Sequence, residues 1–293
     1  MFKTFMSMFC LNMKLEPKAG FLIASGAFPV DPSEPDIQFI KMKHASFSRE
    51  FPFIPGSSIK GPMRSHAEAL LRSKKKCVCN ILSSKDNCFS NYSKKDDEDT
   101  GIERYKASCT ACRTFGGRKL ASKVRIDDFL PYESEEELNQ AFDRIEKALT
   151  VRNGVAIDRK TGKAEGKALF FHHSYSIPFY GTITLKNPEK WQLALLFILV
   201  DHINAGLIKF GHSKSRGLGK LNAEIRSIDI FSPDDKIHFQ VFDENGFAQV
   251  DFQFDVRFDG EIVKKATINS KDKLKEFKDK VITEGVKELE TLQ

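Results

Sequence analysis

An α+β fold built on an antiparallel sheet is the class this sequence predicts, and three observations carry the prediction. Segments of alternating hydrophobicity exchange along the chain with segments of helical spacing; no strand reads as the unbroken apolar run of a parallel sheet buried on both faces; and no repeat of fixed period appears. With 293 residues, 41% hydrophobic and 29% charged, 18 Gly and 11 Pro, the composition excludes a disordered, collagen-like or low-complexity chain. A chain of this length buries roughly three quarters of its unfolded surface, as one large domain or two small ones, without covalent staples. Lys plus Arg number 46 against 40 Asp plus Glu, a net +6 that excludes an acidic-tail protein and favours a polyanionic partner only where the charge clusters.

Residues 6–25 alternate on both sides of a turn at 17–20, with Phe9, Leu11, Met13 and Leu15 and then Phe21, Leu22 and Ile23 apolar, which predicts two strands or one bent strand. Residues 26–36 are rich in Pro and Asp and read as a surface loop. In FPFIPGSSIKG (51–61) Pro55 and Gly56 force a turn, and Ser57 or Ser58 is placed to cap a helix carrying Met63, Ala67, Leu70 and Leu71. Residues 72–113 change in composition and read as an inserted subdomain. A short strand at 124–129 follows, then a helix at 134–149, capped by Ser134, with Leu138, Phe142, Ile145 and Leu149 on one face. Residues 151–169 suggest an exposed hairpin with basic flanks, 169–185 a strand pair, 191–205 a buried helix, 209–220 a glycine-rich basic turn, and 221–225 a strand. Residues 228–293 read as strands to about Ile268 and a charged amphipathic helix.

The amino terminus lacks a continuous apolar region and a small-residue cleavage site, and the longest apolar run, 191–200, is half a membrane span. The expectation is no membrane segment and a cytoplasmic protein. Five of the six cysteines fall between Cys77 and Cys112, too few and too clustered for a disulfide framework. Cys109-x-x-Cys112 with Cys79 and Cys88 supplies four thiolates for tetrahedral Zn²⁺ in a closed structural site, with Cys77 a surplus ligand able to replace Cys79.

Three segments carry chemistry for an anion. At the helix start, backbone N–H groups, Ser57, Ser58, Lys60 and Arg64 are placed to face one phosphate, although no Walker loop is present. In KFGHSKSRGLGK (209–220), glycines allow close backbone approach while Lys214 and Arg216 neutralise charge. RNGVAIDRKTGKA adds Arg152 and Arg159 on the hairpin. Two such loops in one chain predict a groove that reads phosphate rather than base. Asp31, Glu34 and Asp36 share the loop ahead of the first cradle, where a carboxylate is unfavourable beside phosphate unless a cation intervenes, so a metal-assisted role is a candidate and a merely solvating loop the alternative. G-x-S-x-G and H-E-x-x-H are absent, and the histidines are unplaced: of His172 and His173, one is expected in the core and one at the surface.

FPFIPGSSIKGPMRS, CTACRTFGG with ASKVRIDD, RNGVAIDRKTGKA with ALFF, and GLIKFGHSKSRGLGK occur in the order found in the RAMP superfamily of CRISPR-associated proteins, and the chain most resembles the zinc-containing backbone subunit of type III effector complexes. The resemblance covers about residues 6–225. It implies a ferredoxin-like, RRM-like antiparallel sheet core over residues 1–227, with an inserted zinc-binding subdomain (72–113) and a thumb hairpin (151–169), followed by a C-terminal extension (228–293). It further implies copies assembled along a guide RNA with other subunits of the complex. Ser57, Ser58, Lys60, Arg64, Arg152, Arg159, Lys214 and Arg216 would bind RNA, and the target RNA would be cut at regular spacing by Asp36, with Asp31 second, using Mg²⁺ or another divalent cation. An inert guide-binding subunit and a guide-processing ribonuclease are the alternatives.

Overall fold

The computed structural model describes residues 4–26, 34–43, 49–90, 92, 100–243 and 246–292. Its centre is β1 (Met8–Pro17), whose strict alternation turns Phe9, Leu11, Met13 and Leu15 into the core and leaves Cys10, Asn12 and Lys14 on the opposite face. The expected second strand of this region is only a pair of bridges, Phe21 to Tyr175 and Ala24 to Phe39.

A short ladder of β2 (Lys41–Lys43) and β3 (Glu50–Pro52) leads into α1 (Gly56–Ser73), which buries Ile59, Met63, Ala67 and Leu71. Neither serine caps this helix: Pro55 holds the cap position, and the Gly56 N–H donates to Asp128 Oδ1 at 2.8 Å. A Cβ at Gly56 would lie 2.1 Å from the carbonyl oxygen of Ile126, so glycine is required for this approach. The insert contributes α2 (Gly101–Lys106) and α3 (Thr110–Phe115) before β4 (Val124–Ile126).

A 3-10 turn at Glu135–Glu137 precedes α4 (Leu138–Ala148); Ser134 makes no side-chain cap. Leu138, Ala141, Phe142 and Ile145 are buried as their spacing predicts, but Leu149 leaves the helix and opens β5 (Leu149–Ile157), which pairs with β6 (Ala164–Tyr175) in an exposed two-stranded hairpin. The strand pair expected at 169–185 does not form. β6 stays in the hairpin, while β7 (Phe179–Lys186) enters the main sheet between β1 and β4.

α5 (Lys190–Asn204) is buried nearly throughout, and β8 (Leu221–Ser232) returns beside β1. The boundary expected at 227/228 falls inside this strand. Beyond it, β9 (Ile237–Asp243) and β10 (Gly246–Phe252) form a hairpin, β11 (Lys264–Ile268) pairs with β8, and α6 (Lys271–Thr291) lies on α5. The main sheet therefore has five strands in the order β11-β8-β1-β7-β4, each antiparallel to its neighbours. Phe277 of α6 reaches the same core, 6.4 Å from the Phe9 ring, so the last residues complete the interior of the fold.

The insert is also anchored. A small apolar cluster of Phe89, Tyr105 and Leu120 is closed by Phe242 and Phe247 of β9 and β10. Beneath it, the buried Lys123 ammonium donates to Gln192 Oε1 at 3.0 Å and Gln240 Oε1 at 2.9 Å and lies 3.7 Å from Glu189 Oε1, while the Tyr105 hydroxyl donates to Glu189. Burial lowers the Lys123 pKa to about 8, against the opposing pull of Glu189. This polar knot joins the insert, the residue that leads into β4, α5 and β9. Among the described residues no helix is long and apolar enough to cross a membrane.

Candidate functional site

The glycine-rich turn between α5 and β8 is a built loop. Gly211 has φ +76°, and a Cβ there would stand 2.1 Å from the Leu22 carbonyl oxygen, which accepts the His212 N–H at 2.8 Å. The loop closes where the Phe210 N–H donates to the Gly219 carbonyl at 2.9 Å. Ser213 takes φ +54°, a left-handed conformation strained for a residue with a side chain, and Lys214–Arg216 form one 3-10 turn. Buried Leu218 anchors the far side. His212, Lys214 and Arg216 are thereby displayed at the surface on a fixed backbone.

A second loop meets the hairpin beside it. Ile37 runs parallel to β6: its N–H donates to the Phe171 carbonyl at 3.2 Å, and its carbonyl accepts the His173 N–H at 3.0 Å. The Phe171 N–H donates to Asp36 Oδ2 at 2.8 Å, fixing this carboxylate at the strand that carries His172. The His172 ring, 5% exposed, stands 5.8 Å from the ring of His212 at an interplanar angle of 69°. Its pKa is lowered by burial first, then by His212 and Arg216, with Asp36 opposing and Arg152 adding to the depression. Asp36, Arg152, His172, His212 and Arg216 thus come from four segments to one place. Asp31 lies outside the described residues. Arg159 is exposed at the hairpin tip, where Asp158 closes the turn by accepting the Lys160 N–H and the Thr161 hydroxyl, both at 2.8 Å.

The helix-start residues gather elsewhere. Ser57 is exposed and Ser58 half-buried, but Lys60 Nζ donates to Ser122 Oγ at 2.9 Å and the Val124 carbonyl at 3.0 Å. Arg64 donates to Glu68 Oε1 and the Gly116 carbonyl, both at 2.8 Å, and to Cys112 Sγ at 3.4 Å. These cations turn toward the insert and β4, which differs from the expected arrangement in which all four residues face one anion.

The arginine contact leads to the cysteine cluster. Sγ atoms of Cys79, Cys88, Cys109 and Cys112 all lie within 4.8 Å of one another, with Cys79 to Cys112 at 3.6 Å. Zn–S bonds of about 2.3 Å place tetrahedral sulfurs about 3.8 Å apart, so the donor set fits zinc. Cys109, at the start of α3, is held toward the thiolate by hydrogen bonds from Cys112 and Cys88, whose own pKa values are raised, that of Cys88 to about 12. A divalent cation would displace the remaining protons. Cys77 is exposed and stands outside this group.

Among the described residues these four cysteines are the one cluster in which three or more His, Cys, Asp or Glu ligand atoms come together. Asp36 belongs to no such cluster among the described residues. His172 and His212 are the members that sequence reasoning missed: they are distant in sequence, and their meeting follows from the loop closing on Leu22 while β6 pairs with Ile37. The family model for the RAMP superfamily matches residues 42–222, from β2 to the start of β8. No curated protein matches the chain.

Proposed function

Because the chain belongs to the RAMP superfamily, a family associated with CRISPR-related RNA binding, we propose that it is a guide-RNA-binding backbone subunit of a type III effector complex that cleaves the bound target RNA. The convergence of Asp36, Arg152, His172, His212 and Arg216 at one surface carries this reading. Strands β1, β4, β7 and β8 with α1 and α5 run βαββαβ in the order β8-β1-β7-β4, which supports a ferredoxin-like, RRM-like palm. The β5–β6 hairpin, with Ile157 at 61% exposure and Val151 at 50%, is the candidate thumb, since an isolated two-stranded ribbon with apolar residues in water is marginal without a partner. The cysteine cluster holds structural zinc, and the subunit works in the cytoplasm beside neighbouring copies and other subunits.

Arg152, Arg159, Lys214 and Arg216 would take phosphates on the hairpin side, and Ser57, Ser58, Lys60 and Arg64 on the insert side. Two arginines beside the reacting phosphate stabilise the charge that develops as the 2′-hydroxyl attacks in line. Asp36, and Asp31 as second carboxylate, are the proposed cleavage residues. Mg²⁺ or another divalent cation belongs to this reading through the family resemblance, and Asp36 is the described carboxylate at this surface that would hold it.

The deciding experiment assembles the chain with guide and target RNA and compares wild type with Asp36→Asn, which retains an acceptor for the Phe171 N–H. Loss of cutting with retained target binding supports the nuclease, and undiminished cutting rejects Asp36. No cutting by wild type leaves a guide-binding subunit. The His172–His212 contact favours one further reading, a guide-processing ribonuclease working without metal. Cleavage of precursor RNA by the isolated chain in EDTA would establish it.

A further inference from the structure

Five of the six cysteines lie in the insert, and the zinc site takes four of them. We propose that the fifth, Cys77, is the site at which a peroxide oxidises this chain, and that its disulfide with Cys109 withdraws one thiolate from the metal site; this rests on the zinc reading above.

Three observations carry the assignment. Cys77 is exposed, whereas Cys109 and Cys112 are buried. A surface cavity of about 470 Å³ is lined by Cys77 together with Cys79, Cys88 and Cys109, so a small oxidant meets the surplus thiol and three of the ligands in one space. The Thr110 N–H donates to the Cys77 carbonyl at 3.3 Å, which lays the backbone of Cys77 beside the Cys109–Thr110 peptide at the start of α3. A thiolate bound to a divalent cation shares its electron pair with the metal, so the sulfur outside the ligand set is the one that meets the oxidant first. Cys79 is the other neighbour in sequence, but only Val78 separates it from Cys77, and a bridge across one residue strains the disulfide.

With hydrogen peroxide as oxidant the chemistry balances in two steps. The Cys77 thiolate attacks one peroxide oxygen, the O–O bond breaks, hydroxide leaves, and Cys77 becomes a sulfenic acid. The Cys109 thiolate then attacks the Cys77 sulfur, the S–S bond forms, the S–O bond breaks, and a second hydroxide leaves. Two thiols and one peroxide give one disulfide and two waters, the sulfurs losing the two electrons that the peroxide gains. Three cysteines of the set remain, fewer than a closed tetrahedral site requires, so the metal is released. Reduction of the disulfide restores the fourth ligand.

The test treats the full chain with hydrogen peroxide, follows zinc release with a chromogenic chelator, and maps disulfides by mass spectrometry, for wild type and Cys77→Ser. The zinc content of each is measured beforehand. Burial first, then Cys109 and Cys79, raise the Cys77 thiol above its ordinary value, so the assay is run on the alkaline side. Both proteins should start with about one zinc per chain. Wild type should release it as a Cys77–Cys109 disulfide appears, and a thiol reductant with added zinc should restore the metal. Cys77→Ser should release zinc at least about tenfold more slowly. Equal release by the two proteins overturns the assignment while the zinc reading stands, as does mapping that leaves Cys77 unpaired or joins it to another cysteine. A Cys77→Ser protein purified without zinc makes Cys77 a ligand and also overturns it. Wild type purified without zinc, and unable to take it up, removes the zinc reading and this inference together.

Discussion

Arg152 stands directly across the β5–β6 ladder from His172, so a cation and a buried imidazole are locked in register by backbone pairing rather than by side-chain choice. The same ring has His212 and Arg216 approaching from the glycine-rich loop and Asp36 from the opposite side. The hairpin, conspicuous in sequence only as an exposed basic ribbon, therefore builds one wall of the candidate site.

That arrangement predicts opposite shifts in the His172 titration followed by NMR. Arg216→Ala and Arg152→Ala each remove a positive charge that depresses the His172 pKa, so each raises it, Arg216→Ala more. Asp36→Asn removes the opposing negative charge and lowers it. Three variants moving the titration in the same direction would show that these side chains do not share one environment.

The cysteine cluster makes a separate prediction. Cys112→Ser keeps an oxygen near Arg64 but removes one thiolate, so zinc content falls from about one ion per chain toward zero, read by elemental analysis of purified protein. Unfolding should then begin at α3, which carries Cys112 and starts at Cys109, beside Cys79 and Cys88. Undiminished zinc would mean that the ligand set is wrong, with exposed Cys77 the remaining candidate.

Much of this was legible in the sequence, and the lapses share a cause. The alternation of Phe9 to Leu15 and the helical spacing of Leu138, Phe142 and Ile145 report local burial, and the structure buries them. Leu149 fits the same spacing yet opens β5, because pairing with Tyr175 overrides a local period. The spacing in 169–185 suggests adjacent strands but cannot show that β6 and β7 join different sheets. Serines at a helix start look like caps until Asp128, 72 residues away, takes the Gly56 N–H. Cysteine spacing exposed the metal ligands because they lie close in sequence, whereas His172 and His212 meet only through tertiary closure.

Glu288 of α6 gives a pH signature for the C-terminal segment. Burial first, then nearby Glu189, raises its carboxyl to about 7 from an ordinary 4.5, although it accepts the Trp191 N–H at 3.1 Å. The folded state therefore holds this proton more tightly than the unfolded chain. Its contribution to stability is full below pH 4.5 and is lost as pH rises through about 7. The gap sets a ceiling of roughly 3 kcal/mol, which partial exposure reduces to about 1–2 kcal/mol. Glu288→Gln should raise the melting temperature at pH 8 and leave it unchanged near pH 4.5; equal effects at both would place α6 in a different setting.

If loops far apart in sequence form one surface for an RNA strand, guide-RNA affinity measured as a function of salt reports it. For wild type against Arg152→Ala/Arg216→Ala, the paired loss should weaken binding at least about tenfold at 0.1 M salt and reduce the slope of log affinity against log salt by about 1.4, the release of two phosphate contacts on a single strand. An unchanged affinity and slope, with the fold intact, would mean that these loops form no common RNA surface.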